Sequence, residues 1–217
     1  MKRKFILSIL VLLFFTVSGY AQDDKVIWGL KASLDAELPS KWHGDGGGVT
    51  MFRPGYGFTI GGVSNIYLGK NFYFEPGLSL AYSQYKYKNL LFPDSDGTIL
   101  ETDPKIYKWC FQIPLVFGYT IDIPDRYAFN VFTGPQVRYA FAGKTALKNN
   151  QLEEDTAEYV NLWDMQRRFD LSWKVGVGIP VNNFQISLEA DFGITDLLKG
   201  ELSFRENRVG VGVTYYF

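Results

Sequence analysis

This sequence has one cysteine and one histidine among its 217 residues, and that scarcity removes whole classes of chemistry. A lone thiol, Cys110, closes no internal disulfide and builds no cysteine-based zinc cluster. Set in an apolar segment, it reads as a small packed side chain. Imidazole chemistry is confined to His43, next to Asp45. No serine occupies a G-x-S-x-G elbow, and a nucleophile needs a base within hydrogen-bond reach. Gly46-Gly47-Gly48 lacks the Gly-Lys-Ser/Thr ending of a phosphate loop and reads as a flexible loop tip. We expect no catalytic residues, no metal and no cofactor. An excess of one charge is missing too: 22 Lys and Arg against 23 Asp and Glu leave a net charge of -1. A nucleic-acid partner would want a basic surface, so that class is set aside. No Pro-, Gly- or Ser-rich linker divides the chain, which suits one domain. Beyond the N-terminus, no apolar run is long enough for a membrane-spanning helix.

What is present begins with an address. Lys2, Arg3 and Lys4 precede the apolar run Phe5 to Val17, and the small residues Ser18, Gly19 and Ala21 follow. That is the three-part plan of a secretory signal peptide, with cleavage expected after Ala21. Residues 1–21 are then the leader and 22–217 the mature domain. The run is too short to cross a hydrocarbon core of ~30 Å comfortably, and no cysteine stands at the cleavage point for lipid attachment.

Along the mature chain, hydrophobicity alternates with period two in eight segments, the pattern of half-buried strands. Trp28, Leu30, Ala32 and Leu34 oppose Gly29, Lys31, Ser33 and Asp35. Phe169, Leu171, Trp173, Val175 and Val177 oppose Asp170, Ser172, Lys174 and Gly176. Phe184, Ile186, Leu188, Ala190 and Phe192 oppose Gln185, Ser187, Glu189 and Asp191. Val209, Val211, Val213, Tyr215 and Phe217 oppose Arg208, Gly210, Gly212, Thr214 and Tyr216. Volume decides which face points inward. The interior of an eight-stranded barrel is barely wide enough to be filled by side chains. It has no room for Trp28, Phe58, Phe74, Trp109, Phe111, Phe117, Phe169, Trp173, Phe184 and Phe192 together. The bulky face therefore looks outward, and an apolar belt on every strand needs lipid as its solvent. The segments predict an all-β fold, an eight-stranded antiparallel up-and-down transmembrane barrel of the outer-membrane type.

The connections agree. Long links (Ala36–Pro54, Lys88–Pro104, Gly143–Arg167) and a moderate last one (Asp196–Arg205) alternate with the short Leu68–Asn71, Asp122–Arg126 and Pro180–Asn183. Outer-membrane barrels have short periplasmic turns and longer outer loops. The expected location is the Gram-negative outer membrane, reached by export across the inner one, with outer-membrane lipid as the surrounding partner.

Four motifs fall in order along the chain: Phe72-Tyr73-Phe74-Glu75-Pro76-Gly77-Leu78, Gln112-Ile113-Pro114-Leu115, Thr133-Gly134-Pro135 and Gly176-Val177-Gly178. With the Val-Gly alternation ending in Phe217, they resemble the PorT-like outer-membrane β-barrel family of the Bacteroidota, over nearly the whole mature chain. The resemblance implies that Phe217 is the terminal aromatic by which barrel-assembly machinery recognises its clients. It also implies a link to secretion or envelope systems, since the family's best-known member assists a secretion apparatus.

The expected lumen carries Lys31, Arg138, Lys174 and Arg208 beside Asp35, Glu75, Asp170, Glu189 and Asp191. Their near-balance of sign predicts a structural network of paired charges, since an unpaired charge in so narrow a space is costly. A selective pore, or acid–base work by Glu189 and Asp191, is the sharper alternative. The run Glu153-Glu154-Asp155 reads as a solvated acidic cluster. Tyr159, Leu162 and Trp163 have i, i+3, i+4 spacing, so a short helix in the third outer loop would show them as an apolar patch. Leu90-Leu91-Phe92 and Trp42 add exposed apolar candidates in the second and first loops. The function expected is a non-enzymatic scaffold barrel with a filled lumen, meeting a protein partner at its outer loops or periplasmic rim. A transport barrel for small solutes or ions is the alternative.

Overall fold

Strict alternation of a large apolar and a small or polar side chain leaves one low-energy arrangement, a sheet with one greasy face, and closing the sheet satisfies every edge. The computed structural model describes residues 26–40, 42–44, 47–49, 52–87, 90–93, 99–102, 104–124, 127–147, 158–164, 166–199 and 204–217. Eight strands form the wall: β1 (Val26–Pro39), β2 (Phe52–Tyr67), β3 (Phe72–Tyr87), β4 (Lys105–Ile123), β5 (Tyr127–Leu147), β6 (Phe169–Val181), β7 (Phe184–Gly193) and β8 (Glu206–Tyr216). Each pairs antiparallel with its sequence neighbours, and β8 pairs with β1, so the sheet closes into a barrel. The leader residues 1–21 lie outside the described residues.

The register fixes the barrel's girth. Following the pairs from Val26 through Ile66, Phe74, Phe117, Thr133, Val175, Ala190 and Val209 returns to β1 at Ala36, ten residues further on. Eight strands with that stagger tilt by about 40° and enclose a backbone cylinder of radius about 8 Å. Only side chains fit inside.

Which face is which is plain from exposure. Leu30, Leu34, Phe58, Phe117, Trp173, Leu188, Phe192 and Val211 stand on the outside, whereas Ser79, Gln112, Arg138, Ser172 and Glu189 are buried. Large inward groups sit beside glycines: a Cβ at Gly118 would meet the Tyr73 ring, and one at Gly176 the Phe132 ring. At the short-turn end, Asn182 takes a left-handed φ of 54° in the two-residue turn that joins β6 to β7, a conformation asparagine tolerates.

The connections differ from expectation in their ends. β1 runs on to Pro39 and β5 to Leu147, so Glu37 and Lys144 belong to the wall and not to the loops. Within the loops, Trp42–Gly44 pairs with Gly47–Val49, and Leu90–Pro93 pairs with Ile99–Thr102. The helix expected from the spacing of Tyr159, Leu162 and Trp163 is not formed. Glu158–Asn161 adds a strand to β5, and Leu162–Asp164 make a single 3₁₀ turn. Pairing with the free upper edge of β5 satisfies backbone groups that an isolated short helix would leave marginal. The acidic run at 153–155 lies outside the described residues.

Leu188 stands mid-way along β7 and faces out. Leu188→Arg should cost ~2–4 kcal/mol at the bilayer midplane, well above the loss from Leu188→Ala. Equilibrium unfolding from lipid vesicles measures the difference; equal stabilities would overturn the lipid-facing assignment.

Candidate functional site: a stacked ionic lumen under an apolar plug

The inward face of the wall carries its charges in layers. Nearest the long-loop end, Lys108 on β4 meets Glu206 on β8, and Arg138 on β5 meets Asp170 on β6. Thr195 donates its hydroxyl to the other oxygen of Asp170 at 2.6 Å. Arg208 Nε lies 3.0 Å from Glu37 Oε1, a charge contact whose angle falls short of a hydrogen bond. One layer down, Lys174 bridges Glu189 at 2.7 Å and Asp191 at 3.0 Å. Lys31 on β1, the next strand but one, meets the same Glu189; Ser187 donates to it at 2.7 Å, and Gln136 donates to Asp191 at 2.9 Å.

The two remaining inward carboxylates are held by hydroxyls. Asp35 accepts from Ser33 at 3.1 Å and from Thr59 at 2.9 Å, and Glu75 accepts from Tyr216 at 2.7 Å. Towards the short turns, Tyr73, Val116 and Phe132 form a small apolar cluster. Beside it Asn130 donates to Gln185 at 2.5 Å. The structure thus brings Arg138 to Asp170, Lys174 and Lys31 to Glu189, Lys174 to Asp191, and Arg208 to Glu37; it does not bring Asp35 or Glu75 to a cation among the described ion pairs.

Three members were missed from sequence. Glu37 falls within the link Ala36–Pro54 in the sequence reading, whereas β1 runs on to Pro39. Lys108 has the parity of Cys110 and Gln112, which would have placed it inward. Glu206 follows the last link and shares parity with Arg208. Extending each alternation by one or two residues finds all three.

Above the ions sits an apolar plug. Phe52, Tyr85 and Ile106, at the upper ends of β2, β3 and β4, pack with Leu162, Leu197 and Phe204 from the third and last loops. Phe52 and Phe204 stack with ring centroids 4.4 Å apart. This corrects two of the loop assignments: Leu162 is buried, and Trp163 packs partly buried against the same cluster instead of presenting an apolar patch. Burying those groups in the barrel mouth removes apolar surface from water with no partner needed. Trp42, Leu91, Phe92 and Tyr159 have described backbones in the loop strands, and their side chains lie outside the described residues. A cavity among Lys108, Cys110, Arg138, Asp170, Glu206 and the plug residue Leu197 has a volume of 10 Å³, about one water molecule. His43 lies in the first-loop hairpin, beyond the upper end of β1, and Asp45 is outside the described residues.

Residues 20–199 match the family model described as outer membrane protein beta-barrel domain. The chain belongs to that family. Only β8 among the wall strands falls beyond the matched residues, and its pairing with β1 supplies the closure. As an outer-membrane barrel, the protein sits in the lipid of that membrane. Among solved structures, Neisserial surface protein A is similar at 14% identity and a TM-score of 0.47, over 88% of this chain and 97% of that one. The outer membrane protein OprG of Pseudomonas aeruginosa is similar at 11% identity and a TM-score of 0.44, over 89% and 96%. No curated protein matches this chain.

Arg138 is 2% exposed, and removing one partner of a buried pair strands the other. Arg138→Leu should cost about 3–5 kcal/mol, and Arg138→Leu with Asp170→Leu should recover a large part of that. A double-mutant cycle on unfolding free energies reads the coupling; strictly additive losses would show that the pair contributes nothing of its own.

Proposed function

We propose that this outer-membrane barrel is a non-enzymatic scaffold that works at its rims and not through its lumen. The observation that carries the reading is the apolar plug seated over paired, buried ions. An eight-stranded wall normally leaves no aqueous channel, and here the cross-section is occupied by long side chains bonded across it. Transport would require several ion pairs and the plug to open together. The partner surfaces are the outer hairpins bearing Trp42, Leu91, Phe92 and Tyr159, together with the periplasmic rim.

The same reading gives the ends of the chain their roles. Residues 1–21 act as a cleaved export signal. Phe217, 67% exposed and tied to β1 through its N–H on the Trp28 carbonyl, is the aromatic end that barrel-assembly machinery takes up. Membership of the PorT-like branch, and service to a secretion or envelope system, fit the ordered motifs of the wall.

Planar-bilayer recordings of the refolded protein should show no stable conductance, whereas reproducible steps would favour the solute- or ion-transport alternative. Photo-crosslinkers placed at Trp42 and Leu91 in the native envelope should yield a discrete protein adduct. Silence at both positions would remove the outer-loop version of the reading.

A further inference from the structure

The ion pairs of the lumen leave two acids over. Near the long-loop end, Lys108, Arg138 and Arg208 meet Glu206, Asp170 and Glu37. One layer down, Lys31 and Lys174 meet Glu189 and Asp191. Among the described ion pairs these cations and acids balance one for one, and Asp35 and Glu75 remain. Asp35 is half-buried and accepts from the hydroxyls of Ser33 and Thr59. Glu75 is 7% exposed, and among the described residues it accepts from the Tyr216 hydroxyl alone. A carboxylate so far out of water needs a positive partner.

The register sets a second oxygen beside it. Val63 pairs with Gly77 and Ile66 with Phe74, which puts Asn65 on β2 directly opposite Glu75 on β3. Both are buried on the inward face, and side chains so placed stand about 5 Å apart at Cβ. Tyr216 touches both: its hydroxyl donates to Glu75 at 2.7 Å and accepts from the Asn65 amide nitrogen. The Asn65 amide oxygen is buried with no donor. A carboxylate without a cation and an amide oxygen without a donor therefore stand side by side.

Their surroundings favour positive charge. Buried side-chain nitrogens without a hydrogen-bond partner, on Gln112, Arg138 and Arg208, lie nearer the long loops. Towards the short turns the unpartnered atoms are oxygens, Asn130 Oδ1 and Thr214 Oγ1 among them. Asn65 lies two residues inside Tyr67, the end of β2, and Glu75 three inside Phe72, the start of β3. The pair is thus close to the periplasmic mouth.

We infer that Glu75 and Asn65 hold a monovalent hard cation of the sodium type, admitted from the periplasmic side. Carboxylate and amide oxygens are the donors that hard cations take. One carboxylate is neutralised by a single positive charge. Among the described residues no three His, Cys, Asp or Glu side chains meet, as a divalent site built on carboxylates would need. The inference stands apart from the scaffold reading, since a barrel that works at its rims can do so with or without this ion.

The test is thermal unfolding of the detergent-refolded full chain, followed by circular dichroism in sodium chloride or in N-methylglucamine chloride at equal concentration. Sodium should raise the wild-type midpoint by about 3 °C or more over the organic cation, as a ligand of the folded state alone does. Glu75→Gln, which keeps the shape and an acceptor for Tyr216, should lose the sodium-specific shift. Asn65→Leu should lose at least about half of it. Asp35→Asn, which removes the other unpaired acid, should keep it. Should Glu75→Gln not fold, wild-type crystals soaked in thallium(I) should show an anomalous peak between Glu75 and Asn65. Equal wild-type midpoints in the two salts would mean that a proton on Glu75 serves instead, and would overturn the inference. So would a sodium shift that survives Glu75→Gln, a calcium shift exceeding that of sodium at equal chloride, or a lumen without the thallium peak.

Discussion

Closure of the wall is the constraint from which the rest follows. Eight strands staggered by ten residues have one radius, and that radius decides what each inward position can hold. Many inward sites are glycine, alanine, serine or threonine, which leaves room for the long side chains between them. Where a Tyr73 or Phe132 does enter, the facing Gly118 or Gly176 has no side chain to oppose it. Bulk excluded from the inside has to go outside, so the apolar belt is a consequence of packing as much as of the membrane.

A lumen this narrow also forces its charges into contact. Charges withdrawn from water need partners with good geometry, and two long side chains together reach from one side of the barrel to the other, as Lys108 and Glu206 do. Lys174 spans Glu189 and Asp191, Lys31 reaches Glu189, and Lys108 reaches Glu206, all from different strands. Lys174 reinforces the paired strands β6 and β7, whereas Lys31–Glu189 and Lys108–Glu206 tie strands that share no backbone hydrogen bond, which stiffens the cylinder. The apolar plug then separates these ions from the outer water and strengthens them by keeping the dielectric low.

Much of the lumen was legible because β-structure keeps strict parity. Lys31, Asp35, Glu75, Arg138, Asp170, Lys174, Glu189, Asp191 and Arg208 all fall on the small-residue side by counting alone. The network's upper layer was harder. Glu37 sits next to Leu38-Pro39, where alternation looks finished, and Glu206 opens a strand straight after a loop. The bulge between Trp109 and Cys110, which shifts β5 by one residue, disguises where Lys144 points. The third loop was misread for a related reason: i, i+3, i+4 spacing is helical only when nothing else offers hydrogen bonds, and the upper edge of β5 offers them.

The sequence by itself determined the strand count, the inside and outside of each strand, the end that carries the long loops, and the lipid-facing belt. All are local or volumetric, so the residues and their order suffice. Tertiary structure decided which carboxylate meets which cation, because partners come from strands as far apart as β4 and β8 and depend on the stagger. It also decided that Leu162, Leu197 and Phe204 turn inward to roof the barrel. Loop residues choose between water, lipid and a cavity only once the closed wall has created a cavity of their size.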